Sequence, residues 1–202
     1  MPTDDFPVPA RYYQRLDDVL AHHGFRLRDA LAQMSLPTDA FDAPDCNLRY
    51  SQVERLIAVV ERISGRSDLG FELGHFLTLS SHSIVGFGML ANPTVDDALR
   101  FLARYFRLVM PSFQLRYVSK PDRGELHFRP IIAMSHRSLA FHLEAIAMAA
   151  LRDVKDLIGS DPPPLRVEFS IEEPRHGERY RAITDLRCFF GVLREPGVSL
   201  IF

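Results

Sequence analysis

The chain has no tryptophan, only two cysteines and no excess of positive charge. Cys46 and Cys188 lie far apart and match no CxxC pattern, which favours free thiols in a reducing cytoplasm, although a single bridge between them stays open at this point. The formal net charge of -2 excludes a broadly basic surface. The chain by itself therefore lacks the electrostatic character of a nucleic-acid-binding domain, so any action on DNA would require another domain.

Long apolar runs are also missing. The longest, from Leu139 to Leu151, is interrupted by His142 and Glu144, and the N-terminus has neither the basic nor the apolar segment of an export signal. We therefore expect no membrane span, no membrane partner and a cytoplasmic location. With 47% apolar and 25% charged residues in a length of 202, the composition is that of an ordinary globular protein.

The first part of the chain is predicted to be helical. Residues 1–10 carry three prolines and two aspartates, which is typical of a flexible leader. From residue 11 to residue 109, apolar residues recur at helical spacing. Ser51 and Glu54 have the spacing of a capping box, and Thr94 precedes two acidic residues at the start of the last helix of this part, which makes it a predicted N-cap.

The periodicity changes after residue 110. The alternating segments SFQLRYV and ELHFRPI, with a turn sequence between them, predict an antiparallel hairpin. Ser135 or Ser138 is expected to cap a long helix that ends before Gly159, and the alternating segment LRVEFSI follows. The fold class is therefore α+β, with a helical N-terminal half followed by a β-β-α-β C-terminal half that has a small, mainly antiparallel sheet. Residues 11–202 are predicted to form one domain with a helical subregion, 11–109, and an α+β subregion, 110–202.

The tripeptide Gly86-Phe87-Gly88 invites comparison with a phosphate-binding loop. A dinucleotide fingerprint requires G-x-G-x-x-G directly after a strand, whereas here three other residues follow the second glycine and no strand is predicted before the first. The GK[ST] sequence of a Walker loop is missing. We interpret the two glycines as positions where helices pack closely.

Patterns of catalysis and metal binding are missing as well. Around Ser67 the spacing is G-x-S-x-x-G between two helices and not the G-x-S-x-G of a nucleophile elbow, so Ser67 is interpreted as a helix cap. None of the eight histidines has HExxH or comparable ligand spacing, and His22, His23, His82 and His176 are interpreted as surface or turn residues. We expect no enzyme activity, no catalytic residue, no metal and no cofactor.

The long helix of the second half is apolar around nearly its whole circumference, which predicts that it is covered on more than one side. Its polar exceptions, His142 and Glu144, either satisfy buried partners or orient a ligand in an apolar pocket. The hairpin supplies a matching apolar wall, but a hydrophobic core requires the same pattern, so both interpretations stay open. The candidate ligand-binding residues are Phe113, Leu115, Tyr117, Phe128, Arg129, His142, Glu144 and Met148.

A resemblance to a known family lies in the segment IVGFGMLANPTVDDALRFLARYFRLV and in the DLGFELGHFL before it. The segment has small residues at Gly86 and Gly88, a Pro-Thr cap at Pro93 and an aromatic helix end around Tyr105. These features resemble the N-terminal, arabinose-binding-type domain of AraC/XylS transcriptional regulators. The resemblance extends from about residue 16 to residue 202. Ile171, where many members carry a histidine, and LRCFFGV, which lacks the usual Cys-Pro, depart from the pattern, so the identity of the effector does not carry over.

The resemblance implies an effector-sensing and dimerisation domain of a DNA-binding transcriptional regulator. Its partners would be a small amphipathic or apolar effector and a second copy of the chain, with DNA contacted only through AraC-type helix-turn-helix units that these 202 residues do not contain. The amphipathic helix Thr94–Val109 is expected to carry either a dimer contact or a solvated basic face. Two alternatives stay open: a ligand-free dimerisation or interaction module, and a small hydrolase.

Overall fold

The computed structural model describes residues 5–38, 41, 46–159 and 163–202. A two-stranded antiparallel sheet and a helical array make up the N-terminal half, and a five-stranded sheet with one long helix dominates the rest. The fold is α+β with a helical N-terminal half, as predicted. The elements are β1 (Pro7–Pro9), α1 (Arg11–Gln14), α2 (Leu16–Ala21), α3 (Leu27–Gln33), β2 (Asn47–Arg49), α4 (Tyr50–Ser64), α5 (Leu69–Phe76), α6 (Ile84–Leu90), α7 (Val95–Val109), β3 (Phe113–Ser119), β4 (Gly124–Pro130), α8 (His136–Ile158), β5 (Leu165–Phe169), α9 (Gly177–Arg181), β6 (Leu186–Phe189) and β7 (Val198–Ile201).

The strand β1 corrects the expectation of a flexible leader for residues 5–10. Val8 pairs with Leu48 of β2 and is 1% exposed, and the Phe6 ring stacks on Tyr50 with 5.7 Å between the ring centroids. Prolines are tolerated here because β1 is an edge strand, where a missing N–H leaves no ladder bond unmade. Residues 5–10 therefore belong to the fold, whereas residues 1–4 lie outside the described part.

The five-stranded sheet has the order β3-β4-β7-β5-β6. Three of its pairings are antiparallel, and β5 pairs with β6 in parallel because the segment between them, which contains α9, crosses over. The predicted hairpin is present, with Leu115 opposite Phe128 and Tyr117 opposite Leu126. The sheet is therefore mainly antiparallel, as predicted, and its apolar face packs against α7 and α8.

The helix α8 runs through the centre of the molecule, and every residue from Phe141 to Leu151 is buried. Phe141 and Ala145 belong to the core of the helical half, while Leu143 and Met148 belong to the core under the sheet. On α5, Gly74 lets α8 approach closely, since an added Cβ there would lie 2.6 Å from the Ala145 carbonyl oxygen. The prediction that this helix is covered on more than one side is confirmed.

Within the described residues, no helix has the length and apolar character needed to cross a bilayer.

Both glycines of the GFG tripeptide lie inside α6. A Cβ added at Gly86 would overlap the Leu79 carbonyl oxygen, and one added at Gly88 would overlap the ring of Phe101 on α7. The turn that precedes α6 is a short 3-10 helix and not a strand. The prediction of close helix packing is confirmed, and the phosphate-loop geometry is missing from this segment.

Two of the predicted caps are confirmed and two are wrong. The Thr94 hydroxyl accepts from the Asp97 N–H at 3.1 Å, and Ser135 caps α8. Ser67 is not a cap, because Asp68 occupies the N-cap position of α5. The capping box predicted at Ser51 is absent because the N-cap of α4 lies two residues earlier, at Arg49, whose backbone N–H donates to the side chain of Gln52. No disulfide joins Cys46 to Cys188, so the single bridge that the sequence left open is absent.

Candidate functional site

An apolar cavity of about 50 Å³, called here the α8 cavity, lies between α8, α7, α1 and the sheet. Small side chains on α8 create the space, since Ala145, Ala149 and Ala150 all face it. Apolar side chains of α7 and the ring of Phe128 on β4 form the opposite wall. Since the lining is almost entirely apolar, the few polar groups in it determine what the cavity can recognise.

At one end of the cavity, Tyr13 of α1 is hydrogen-bonded to His142 of α8. The Tyr13 hydroxyl lies 2.7 Å from His142 Nε2, and His142 Nδ1 lies 2.6 Å from the Ser138 carbonyl oxygen. A carbonyl oxygen can only accept, so Nδ1 carries the proton and Nε2 accepts from the tyrosine. Burial lowers the pKa of His142 to about 4, which keeps the ring neutral near pH 7.

At the other end, His82 is hydrogen-bonded to Asp153 of α8. His82 Nε2 donates to Asp153 Oδ2 at 2.8 Å, and His82 Nδ1 lies 3.3 Å from the hydroxyl of Tyr12. His82 is 5% exposed and Asp153 4% exposed. His82 ends the 3-10 turn Leu79–His82, which agrees with its interpretation as a turn residue, but it does not lie on the surface: its side chain is folded inward onto an acidic residue 71 positions away.

Of the residues predicted to bind a ligand, Phe128 and His142 line the α8 cavity. Phe113, Leu115 and Met148 lie in the adjoining core under the sheet, outside the lining of the cavity. Phe113 packs against a residue of the cavity lining, because its ring centroid lies 5.9 Å from that of His142.

The structure places Tyr117, Arg129 and Glu144 away from the cavity, which corrects the expectation that all eight candidates face one pocket. The Tyr117 hydroxyl donates to Asp96 on the surface at 2.9 Å. Arg129 follows Phe128 on β4 and so points to the opposite face of the sheet, where it forms an ion pair with Glu195.

Glu144 is separated from His142 by about 200° around α8, because each helical residue turns the chain by about 100°. It is 2% exposed, and its Oε1 accepts from His176 Nε2 at 2.9 Å. His176 therefore stands in a turn before α9, as interpreted, but its ring is hydrogen-bonded to a buried carboxylate. Glu144 satisfies a buried partner on the side of α8 remote from the cavity.

The sequence patterns miss Tyr12, Tyr13, His82 and Asp153 as site residues. The partners in each hydrogen-bonded couple are far apart in sequence: Tyr13 and His142 are 129 positions apart, and His82 and Asp153 are 71 apart. No spacing rule connects such residues, and the adjacent tyrosines YY were the only local signal. In the described part of the chain, no group of three or more His, Cys, Asp and Glu side chains is arranged to hold a metal ion.

Residues 24–194 match the family model of the arabinose-binding domain of AraC transcription regulators, N-terminal part. The chain belongs to this family. The ornithine utilization regulator of Pseudomonas aeruginosa is 26% identical over 189 residues, which cover 93% of this chain and 53% of that protein. The resemblance seen in the sequence is thereby confirmed.

A solved structure with a similar fold is that of a transcriptional regulator. The crystal structure of the transcriptional regulator CdpR from Pseudomonas aeruginosa matches with a TM-score of 0.54 and 19% identity, over 87% of this chain and 53% of that one. The chain thus spans about half the length of the regulators that it matches. Membership of the AraC-type family makes it a ligand-sensing regulatory domain, and the α8 cavity is its candidate ligand site.

Proposed function

We propose that the domain senses a small amphipathic or apolar effector in the α8 cavity and passes its presence to the DNA-binding part of a regulator in the cytoplasm, without catalysing a reaction. The observation that carries the proposal is the pair of buried polar couples, Tyr13–His142 and His82–Asp153, at the two ends of an otherwise apolar cavity. An apolar space with a few convergent polar groups is the usual form of a small-molecule site.

The size of the cavity bears on how such a site works. Its volume of about 50 Å³ holds only a few waters, whereas sites for small organic ligands measure about 300 to 1,000 Å³. An effector must therefore widen the gap between α7 and α8. The closed and widened forms are two states with different affinity for the effector, which is the property that lets a ligand shift a conformational equilibrium.

Filling the cavity tests the proposal. Thermal unfolding in the presence of benzene and the C3–C6 n-alkanols should show stabilisation of the wild type. These probes have an apolar body and carry either no polar group, as in benzene, or a single hydroxyl, as in the alkanols. Ala149→Leu fills the cavity and should abolish that stabilisation. Ala140→Leu, on the same helix but outside the cavity lining, is the matched control and should keep it. Equal responses of the two variants would contradict the proposal.

Self-association has its own candidate surface, which differs from the expected one. The apolar face of α7 is buried in the core of the domain through Leu99 and Phe106. On its other side α7 exposes one large apolar side chain, Leu108, whereas α6 exposes three: Ile84, Phe87 and Leu90 are 76%, 64% and 57% exposed. Their spacing of three residues puts them on one side of α6, opposite the buried Val85 and Met89.

We infer that a second copy of the chain covers this α6 stripe. A two-fold arrangement would bury the stripe against itself, and the close packing at Gly86 and Gly88 prevents α6 from rotating to bury these residues within one chain. Light scattering should show a dimer for the wild type and a monomer for Phe87→Asp. Val192→Asp, at another exposed apolar position, should remain dimeric. A stable dimer that does not respond to any probe would favour the ligand-free module.

A further inference from the structure

The α8 cavity has an unused hydrogen-bond acceptor at the end that His82 and Asp153 form. Asp153 Oδ2 accepts from His82, whereas Oδ1 is buried and lacks a hydrogen-bond partner among the residues that the structure describes. Buried carboxylate oxygens are nearly always paired, because an unpaired one has lost its hydration with nothing in exchange. Asp153 is one of the residues that line the cavity, so a molecule that widens the cavity is a candidate partner for Oδ1.

The charge around this oxygen is one-sided. In the described part of the lining, the ionisable side chains besides Asp153 are two histidines and two tyrosines, and lysine and arginine are missing. His142 is neutral near pH 7, and Arg11 donates to the Tyr12 hydroxyl and the Leu108 carbonyl from outside the lining. The Asp153 end therefore attracts donors and repels anions.

We propose that the α8 cavity recognises its effector by a hydrogen-bond donor, an amine or a hydroxyl, that binds Asp153 Oδ1 while a short apolar body lies along the alanines of α8. The same site rejects carboxylates, because a second negative charge would face Asp153 in an environment with little water to screen it. This inference rests on the proposed function, since it names the polar group of the ligand for the same cavity.

Amines and alcohols share the donor chemistry, and they differ in one respect. An ammonium group adds attraction of opposite charges to the hydrogen bond, whereas a hydroxyl contributes the hydrogen bond alone. A set of probes with the same four-carbon body separates these cases: n-butylamine, n-butanol and butyrate, with ammonium chloride and sodium acetate as controls for ionic strength.

Thermal unfolding and calorimetric titration with these probes test the inference on the wild type and two variants. Wild-type protein should be stabilised by butanol, butylamine or both, and not by butyrate. Asp153→Asn keeps the shape of the side chain but removes its charge, so it should weaken the apparent Kd for butylamine by about tenfold or more and reduce the discrimination against butyrate. Ala149→Leu should abolish binding of every probe.

The outcomes distinguish failure of the inference from failure of the proposed function. If butyrate binds the wild type as well as butylamine and butanol do, and Ala149→Leu abolishes that binding, the cavity is a ligand site but the donor rule is wrong. If no probe binds the wild type, the proposed function fails together with the inference. The comparison of the three probes on the wild type decides the donor rule even where Asp153→Asn does not fold.

Discussion

His142 makes the stability of the domain depend on pH in a direction that follows from its burial. The ring is 1% exposed, and burial lowers its pKa from 6.5 to about 4. Between these values the unfolded chain binds a proton that the folded domain does not. The stabilisation from this residue is therefore complete above pH 6.5 and is lost as the pH falls towards 4, with a total of about 3 kcal/mol, of which about 2 kcal/mol is lost by pH 5.

A second group, the half-buried Glu61, acts in the opposite sense and hides this effect in the wild-type profile. Burial raises the pKa of Glu61 from 4.5 to about 7, so its contribution is complete below pH 4.5 and is lost as the pH rises through 7. The effect of His142 is therefore visible only as a difference between the wild type and His142→Asn. The variant keeps Glu61 and removes the titrating ring, at a cost of about 1 to 3 kcal/mol for the unpaired hydroxyl of Tyr13.

Urea unfolding at about pH 7.5 and about pH 5 measures that difference, and far-UV circular dichroism suits a chain without tryptophan. From the higher to the lower pH, the wild type should lose about 2 kcal/mol of unfolding free energy relative to His142→Asn. His22→Asn, which changes an exposed histidine, should follow the wild type. The same pH dependence in the wild type and in His142→Asn would refute the account of a buried, neutral His142.

Three further substitutions test the packing and capping of the helices. Gly86→Ala should lower the midpoint of thermal unfolding more than Gly88→Ala, because the new Cβ meets the backbone oxygen of Leu79 in the first case and the side chain of Phe101, which can rotate, in the second. Equal midpoints would show that α6 adjusts to both. Thr94→Ala should reduce the free energy of unfolding in urea by about 1 kcal/mol through loss of the α7 cap, and an unchanged value would mean that the cap is replaced by water.

The fold was predictable where one local rule decides a segment. The amphipathic pattern of α7, the cap at Thr94 and the alternation in β3 and β4 each concern residues a few positions apart, and all three are present. Local rules failed where a distant partner decides. The three prolines and two aspartates of residues 1–10 predicted a flexible leader, yet Val8 is buried because it pairs with Leu48. Glu54 has capping-box spacing, yet its carboxylate accepts from the backbone N–H of Ser135.

The site shows the same division. Composition and short spacings were enough to predict the fold class, the resemblance to the AraC-type family and the polar residues on an apolar helix. That His142 faces Tyr13 while Glu144 faces His176, and that His82 is buried against Asp153, is visible only in the folded chain. The physical reason is that a buried polar group is stable only with a partner, and for these groups the partner comes from a segment 32 to 129 positions away, which no local pattern records.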